Sequence, residues 1–433
     1  GYQNEKEELG EKQLQDTIEK LKQEYRKKDC VILYFIGLTE SYEGEGYDRK
    51  NLKIPHNQEE LLAEIAETVG KDHIAAISFG GAPMDFSFEK NVGAILHMYL
   101  GGQAVGESVA DLISGEVNPS GKLAETIPFS EKDTPAWRYF APPNDDVEYR
   151  ESIFVGYRYY ETFHVPVKYP FGYGLSYTSF SYSELNVPEV YSGGKIQIRF
   201  KIKNIGKVSG AEIAQIYICP IESDVIRSHI ELKGFQKIYL HPGEEKEVIL
   251  ELDERSFSVY DVEKKAFSML SGKYQICIGA SVHDLQLKAN MEVVGNSYFR
   301  NERELFPDYF REQPHGMEIS AEQFYQLLGG EPKHDKEKKR GEYTVYDSYQ
   351  DVVNVSMFGK FVRGVVHIGL KIMLRGKSEQ DPAFKMVKMG VEEGNLEGLI
   401  ATSGGIATPK LIDMLVYNAN KKYLQAFKRL LKK

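Results

Sequence analysis

The sequence predicts a fold of class α/β plus all-β, in which a parallel-sheet α/β domain precedes an all-β sandwich and a helical C-terminal extension. Short apolar runs at residues 30–36 and 73–79 are typical of strands buried on both faces of a sheet. They alternate with helical spacing at 58–69 and 104–112, which indicates a parallel sheet covered on both faces. From residue 180 onward, short segments that alternate apolar and polar residues replace this pattern and indicate a β-sandwich.

Turn chemistry divides the chain into four segments. Asn118-Pro-Ser-Gly is a strong turn signal, and prolines recur as far as Pro170, which predicts a long ordered connector. The strand pattern should end near Val294. The expected domains are therefore an α/β domain at 1–128, a connector packed on it at 129–179, an immunoglobulin-like or fibronectin-like sandwich at 180–296, and a mostly helical extension at 297–433.

The end of the chain carries the pattern of one basic amphipathic helix at residues 411–431. We expect it to dock on its own protein, with a membrane surface as the alternative. The sequence contains no run of 18 or more apolar residues, so a transmembrane span is not expected.

Charge and cysteine usage exclude several classes of function. A net charge of -10 argues against nucleic-acid and anionic-membrane partners. The three cysteines, Cys30, Cys219 and Cys277, are widely spaced and odd in number, so neither a disulfide framework nor a zinc motif is indicated. We expect buried free thiols, no metal site, and a reducing compartment such as the cytoplasm.

The loop after the first predicted strand is the strongest candidate for chemistry. Glu40, Glu43 and Glu45 crowd together there, with glycines at 44 and 46 and with Arg49 close behind. Crowded carboxylates repel one another, and partial burial raises the pKa of such a group, as a general acid requires. The alternative is an acidic surface turn with a local Glu–Arg pair. Composition alone does not choose which glutamate acts.

The loop resembles the Glu-Gly-x-Asp-Arg signature of glycoside hydrolase family 3, and further motifs follow in the family's order. The similarity covers roughly residues 1–296, and the tail resembles the helical extension of bacterial β-glucosidases of the family at 390–405. The matching stretches are Leu52-Lys-Ile-Pro with Gln58, Gly101-Gly-Gln, Asn118-Pro-Ser-Gly-Lys-Leu, Phe154-Val-Gly-Tyr-Arg-Tyr-Tyr, Tyr169-Pro-Phe-Gly-Tyr-Gly-Leu-Ser-Tyr, Lys203-Asn-Ile-Gly, Glu231-Leu-Lys-Gly-Phe and Pro242-Gly-Glu.

The resemblance implies a retaining β-glycosidase of the β-glucosidase type, with Glu45 as the general acid/base. Glu43, Asp48 and Arg49 become candidate substrate-binding residues. For Asp48 and Arg49 we expect a role in bracing the loop, with contact to sugar as the alternative. Asp85 follows the second strand, where a turn role is expected rather than a place in the cleft. Two carboxylates suffice for this chemistry, so no metal or organic cofactor is implied.

The family's nucleophile is an aspartate on a TIM barrel, and the chain shows no (β/α)₈ pattern. The chain start resembles a point after the first strand of the α/β domain, so that domain is expected to lack its first part. The implied partners are a carbohydrate substrate and a family 3 barrel domain or chain, with an oligomer possible and with neither nucleic acid nor membrane. The rival hypothesis is a non-catalytic sugar-binding or scaffolding subunit with the same fold.

Overall fold

The computed structural model describes residues 11–27, 30–39, 42–44, 49, 51–140, 147–295, 301–332, 338–375 and 381–432. Of the candidate site residues, Glu43 and Arg49 are described. Glu40, Glu45 and Asp48 lie outside the described residues.

The α/β domain is built on a parallel three-stranded sheet with the order β1-β2-β3. Ile36 lies beside Ser78, and Ser78 lies beside His97, so the carboxyl ends of the strands share one edge of the sheet. The elements in chain order are α1 (Glu11–Lys27), β1 (Ile32–Gly37), α2 (His56–Val69), β2 (Ile74–Phe79), β3 (Ala94–His97) and α3 (Val105–Ser114).

One face of this sheet packs against helices, and the other is partly open at β1. Ile36, Leu62 and Ile74 are buried in a core that joins β1 and β2 to α2 and to Ile18 of α1. On the opposite face, Leu33 and Phe35 are 41% and 55% exposed. The prediction that residues 30–36 are buried on both faces is therefore wrong for β1 in this chain. This strand lies at an edge of the sheet, and none of the described elements fully covers its second face.

The connector is tied to the α/β domain through a short antiparallel pair, and to the C-terminal extension through Tyr159. Strands β4 (Ile127–Pro128) and β5 (Val167–Tyr169) pair with each other, and helix α4 (Tyr157–Thr162) lies between them in the sequence. Tyr159 is fully buried, donates its hydroxyl to the carbonyl of Gln313 at 2.6 Å, and accepts from the amide of Gly316 at 3.0 Å. Tyr159 thus packs the connector against the C-terminal extension.

The sandwich consists of a five-stranded sheet, β10-β9-β14-β15-β7, facing a three-stranded sheet, β11-β8-β6, with a separate β12–β13 ribbon. Inward side chains from both sheets, such as Phe200, Ile216, Ile276 and Val248, form one core. The strands are β6 (Phe180–Asn186), β7 (Val190–Tyr191), β8 (Ile196–Asn204), β9 (Gly210–Pro220), β10 (Glu231–Leu240), β11 (Glu245–Leu252), β12 (Ser258–Asp261), β13 (Ala266–Met269), β14 (Gly272–Gly279) and β15 (Leu285–Val293).

The extension divides into a part that packs on the connector and a helical module with its own core. Phe306, Tyr309 and Phe324 pack with connector residues, whereas Val352, Leu396 and Leu415 belong to the core of the module. The helices are α5 (Glu302–Leu305), α6 (Ala321–Leu328), α7 (Tyr349–Asn354), α8 (Met357–Met373), α9 (Pro382–Glu392), α10 (Leu396–Thr402), α11 (Pro409–Ala419) and α12 (Tyr423–Leu431).

Residues 411–431 form two helices, so the prediction of one continuous helix is wrong. Asn420 separates α11 from α12 because its side chain holds the 341–343 segment: Nδ2 donates to the carbonyl of Tyr343, and Oδ1 accepts from the Tyr343 amide. Lys421 then adopts a left-handed backbone with φ 56°. The first helix docks on the module through Ile412 and Leu415, as expected. Within the described ranges, every helix is too short or too polar to span a membrane.

Candidate functional site

The candidate loop leaves the carboxyl end of β1, where ligand sites of open parallel sheets lie. Gln58 holds this end of the strand, because its side-chain amide donates to the carbonyl of Gly37 at 3.0 Å and accepts from the Gly37 amide at 3.1 Å. Tyr34 adds a hydrogen bond to the Gln58 carbonyl at 2.8 Å. Sequence reasoning quoted Gln58 as part of a motif but assigned it no role. Its contact with Gly37, 21 positions away, fixes the point from which the loop departs.

Glu43 joins the loop to the turn that follows β2. One carboxylate oxygen, Oε1, accepts hydrogen bonds from the amides of Gly81 at 2.7 Å and Ala82 at 3.0 Å. These are charge-assisted hydrogen bonds, about twice as strong as neutral ones. The structure thus gives Glu43 a bracing contact within the protein. Its predicted contact with substrate stays a prediction.

Arg49 fastens the other side of the loop to the same turn. Its Nη1 donates to the carbonyl of Pro83 at 2.8 Å, and its Nη2 donates to the carbonyl of Lys53 at 3.2 Å. Burial lowers the pKa of Arg49, and the nearby Glu43 carboxylate opposes that shift. The expected bracing role of Arg49 is therefore present in the structure. Whether it also contacts sugar stays a prediction.

The two residues that fasten the loop, Glu43 and Arg49, flank the predicted acid/base in the sequence. Glu43 and Arg49 stand on either side of Glu45 in sequence, and both bind the 81–83 turn. Glu45 and Asp48 themselves lie outside the described residues. The described residues that flank this segment are therefore both bonded to the turn after β2.

The receiving turn, Gly80-Gly-Ala-Pro, is shaped by close packing. A Cβ at Gly81 would lie 2.8 Å from the Leu100 side chain, and one at Gly80 would lie 2.7 Å from Met84. Asp85 ends the turn by accepting a hydrogen bond from the Ser87 amide at 2.7 Å, which is the turn role expected for it. The small residues let the two loops approach closely enough for the Glu43 carboxylate to reach the backbone.

A buried polar cluster behind this turn was missed by sequence reasoning. His97 shares a hydrogen bond with the Ser78 hydroxyl at 2.9 Å, and burial lowers the pKa of His97 to about 4, so the imidazole is neutral at pH 7. Tyr99 has a left-handed backbone with φ 49°, and its carbonyl accepts from the Gly80 amide at 3.3 Å. Burial also raises the pKa of Glu125. The spacing of these residues along the chain carries no signal that would have grouped them.

Two grooves of the described part of the chain lie away from this loop. One groove of about 1370 Å³ is bordered by connector, sandwich and extension residues, including Arg227 and Tyr309. A second groove of about 1050 Å³ lies beside it and is also bordered by Arg227. Neither is lined by a described residue of the 37–49 loop. Among the described residues no group of three His, Cys, Asp or Glu side chains is placed to hold a metal ion.

The bracing role of Glu43 is testable without an activity assay. In Glu43→Ala, hydrogen exchange at the Gly81 and Ala82 amides is expected to quicken about tenfold or more, since a hydrogen bond to a charged group contributes about 1.5–3 kcal/mol. Amide-resolved hydrogen-exchange NMR measures this. Glu67→Ala, on the exposed side of α2, is the matched control and should leave both rates unchanged. Unaltered exchange in Glu43→Ala would show that the carboxylate does not hold the turn.

Comparison with known proteins assigns two parts of the chain to known domains. Residues 2–177 match the glycosyl hydrolase family 3 C-terminal domain, and residues 212–282 match a fibronectin type III-like domain. Thermostable β-glucosidase B of Acetivibrio thermocellus is 42% identical over 281 residues, which are 64% of this chain and 37% of that protein. An exo-α-(1→6)-L-arabinopyranosidase of Bifidobacterium breve is 37% identical over 273 residues, covering 63% of this chain and 36% of that protein.

Solved structures give the same assignment. The crystal structure of a Bifidobacterium adolescentis GH3 β-glucosidase matches with a TM-score of 0.60 and 36% identity, over 65% of this chain and 42% of that one. β-Glucosidase 3B of Thermotoga neapolitana, solved in complex with α-D-glucose, matches with a TM-score of 0.60 and 32% identity, over 68% and 41% of the two chains. The chain spans roughly a third of the length of the two curated relatives, 37% and 36%. Residues 2–177 therefore belong to glycoside hydrolase family 3 as its C-terminal domain, and the chain continues into a fibronectin type III-like domain.

Proposed function

We propose that this chain is part of a retaining β-glycosidase that acts on β-glucosides, with Glu45 as the general acid/base. The observation that supports this most is the double attachment of its loop, by Glu43 and Arg49, to the turn after β2. Its position at the carboxyl edge of the parallel sheet, inside the matched family domain, adds to that support. The names of the two curated relatives differ in the sugar, so glycoside hydrolysis is better supported than glucose itself.

The proposed reaction is a double displacement. Glu45 protonates the glycosidic oxygen while a second carboxylate attacks the anomeric carbon, which forms a glycosyl ester and releases the alcohol. Glu45 then removes a proton from water, the water attacks the anomeric carbon, and the ester bond breaks to return the free carboxylate. The two carboxyl groups must stand about 5–5.5 Å apart, so the loop needs the firm support that its two anchors provide.

The second carboxylate is proposed to come from an aspartate of a family 3 barrel. The sheet edge is open toward such a partner, because Leu100, whose side chain lies near Gly81, is exposed. A barrel set against this edge would cover that apolar surface and complete a pocket over the loop. The barrel is thus part of the proposal for both substrate binding and catalysis.

The stereochemistry of hydrolysis tests the proposed function. In the protein that joins this chain to the barrel, proton NMR during hydrolysis of an aryl β-glucoside is expected to show β-glucose first, with the α-anomer appearing later by mutarotation. First appearance of the α-anomer would indicate inversion and would overturn the double displacement. Tight binding of the glucoside without any hydrolysis would instead assign the protein to the sugar-binding or scaffolding class.

A further inference from the structure

Helix α8 of the C-terminal module exposes a continuous apolar stripe. Its members follow one another at intervals of four, four, three and four residues, which places them on one face of a helix. Each of these side chains is between 54 and 91% exposed. The stripe consists of Met357, Phe361, Val365, Ile368 and Ile372.

The stripe is not the face with which α8 holds its own module together. That task falls to a separate face, where Val362 is buried in the module core and Phe358 and Val366 pack against it. Leu370, on the same side, is also buried. Burial of the stripe therefore requires a surface that the described part of this chain does not provide.

A row of basic side chains runs along one side of the stripe. Lys360, Arg363, His367, Lys371 and Arg375 recur at helical spacing, and the segment from Met357 to Arg375 contains no acidic residue. An apolar stripe bordered by basic side chains on an exposed helix is the pattern of helices that lie in the interface of a bilayer.

Helix α12 repeats this pattern at a second place in the module. It buries Ala426, and it exposes five large side chains, namely Tyr423, Leu424, Phe427, Leu430 and Leu431. Lys428 and Arg429 stand in its last turn. The docking on the protein that was predicted for residues 411–431 describes α11, whereas α12 has an exposed amphipathic surface.

The charge of the chain is divided unevenly. Residues 338–433 hold 17 lysines and arginines against nine aspartates and glutamates, a net charge of +8, whereas residues 1–337 carry -18. The overall value of -10 therefore conceals a basic module, and the argument from net charge against an anionic membrane does not apply to it. The module also follows residue 282, where the last matched family domain ends.

We propose that α8 and α12 bind the surface of an anionic lipid bilayer and hold the protein there. The apolar stripes enter the boundary between headgroups and acyl chains, and the lysines and arginines beside them reach the lipid phosphates. A second copy of the chain is the weaker partner for α8, because this helix offers no carboxylate with which the cations of its copy can pair. The acidic domains are repelled by such a surface, so they remain on the solution side.

Vesicle flotation of the full chain tests the proposal. The chain is expected to float with vesicles of phosphatidylcholine and phosphatidylglycerol, and to bind pure phosphatidylcholine at least tenfold less. The pair Phe361→Ser with Ile368→Ser, and separately Lys360→Glu with Lys371→Glu, should each lower binding at least tenfold. The matched controls are Ile205→Ser with Val208→Ser and Lys264→Glu with Lys265→Glu, exposed positions of the sandwich that should leave binding unchanged.

Other outcomes would overturn the proposal and name another occupant. All substituted positions of α8 are exposed, so the thermal unfolding of each variant should match that of the parent chain. Absence of flotation contradicts membrane binding, and equal flotation of the α8 variants contradicts binding through α8. Self-association that is lost in the serine variants, without vesicle binding, would assign the stripe to a second copy. Retention on a polyglutamate matrix without vesicle binding would assign the basic row to an acidic protein.

Discussion

Glu45→Gln is expected to lower kcat for unactivated β-glucosides about 10²–10⁴-fold in the protein that joins this chain to a family 3 barrel. Glutamine occupies nearly the same volume, but it neither donates an acidic proton to the glycosidic oxygen nor removes one from water. The loss in kcat/KM should be much smaller for a dinitrophenyl glucoside, whose leaving group departs without protonation, whereas kcat stays low because hydrolysis of the glycosyl ester still lacks its general base. Steady-state kinetics on cellobiose and on the dinitrophenyl glucoside separate the two steps.

Azide provides the sharper measurement for the same variant. Azide is an anion that needs no general base, so it is expected to attack the glycosyl ester in Glu45→Gln and to release β-glucosyl azide, with part of the turnover restored. Glu43→Gln and Glu40→Gln are the matched controls. One carboxylate oxygen of Glu43 already accepts hydrogen bonds from the amides of Gly81 and Ala82. The Glu43→Gln variant should therefore show a modest loss of kcat and no glucosyl azide. Rescue of either control, with Glu45→Gln unaffected, would move the acid/base to that residue.

The sequence predicted the fold class correctly because that class depends on local periodicity. Three strands and their helices appear in the expected order, and the matched domains confirm the α/β and fibronectin-like parts. Periodicity does not report what covers a strand from outside. The apolar run that contains Leu33 and Phe35 was therefore interpreted as buried on both faces, although the face with these two side chains is partly exposed in this chain.

The helical extension shows a second limit of pattern reasoning. The apolar spacing of residues 411–431 continues through Asn420, so the pattern indicated one helix. The break arises from hydrogen bonds between Asn420 and the backbone of Gly341 and Tyr343, nearly 80 positions away. A tertiary contact of this kind outweighs helix propensity, which contributes less than about 1 kcal/mol per residue.

At the candidate site, sequence reasoning found the loop but not how it is held. Glycines, glutamates and an arginine after an apolar strand made residues 37–49 a candidate, and the family resemblance selected the loop and Glu45 within it. The partners of Glu43 and Arg49 are backbone groups of the turn after β2, and backbone groups have no signature in sequence. The same holds for the His97 and Ser78 pair, which adjacent strands bring together.

Lys122→Met is expected to lower the free energy of unfolding by about 3–5 kcal/mol at neutral pH, because it leaves a buried charge without its partner. Lys122 lies 3.1 Å from Glu212 of β9, and the two side chains are 10% and 6% exposed. Its ammonium also donates to the carbonyl of Gly174 at 3.0 Å. The ion pair thus joins the Asn118-Pro-Ser-Gly-Lys-Leu stretch to the sandwich. Methionine keeps most of the length of the side chain but not the charge.

The pH dependence identifies the unpaired carboxylate as the cause. Burial raises the pKa of Glu212, and Lys122 opposes that shift. A carboxyl whose pKa is higher in the folded state binds more protons there, so its stabilising effect is present at low pH and is lost as the pH rises through the folded pKa. Without Lys122 the folded pKa rises further. The deficit of Lys122→Met should therefore be greatest at neutral pH and should shrink on acidification toward the ordinary glutamate pKa of about 4.3.

Urea unfolding of the two proteins at neutral and acidic pH measures that difference. Lys195→Met is the matched control, because Lys195 pairs with Glu251 at 2.6 Å in a fully exposed setting and its loss should leave stability nearly unchanged. Adding Glu212→Gln to Lys122→Met should recover part of the loss, since the amide carries no charge into the interior. A deficit that stays constant with pH, and that the second substitution does not relieve, would assign the loss to packing and to the Gly174 contact rather than to the ion pair.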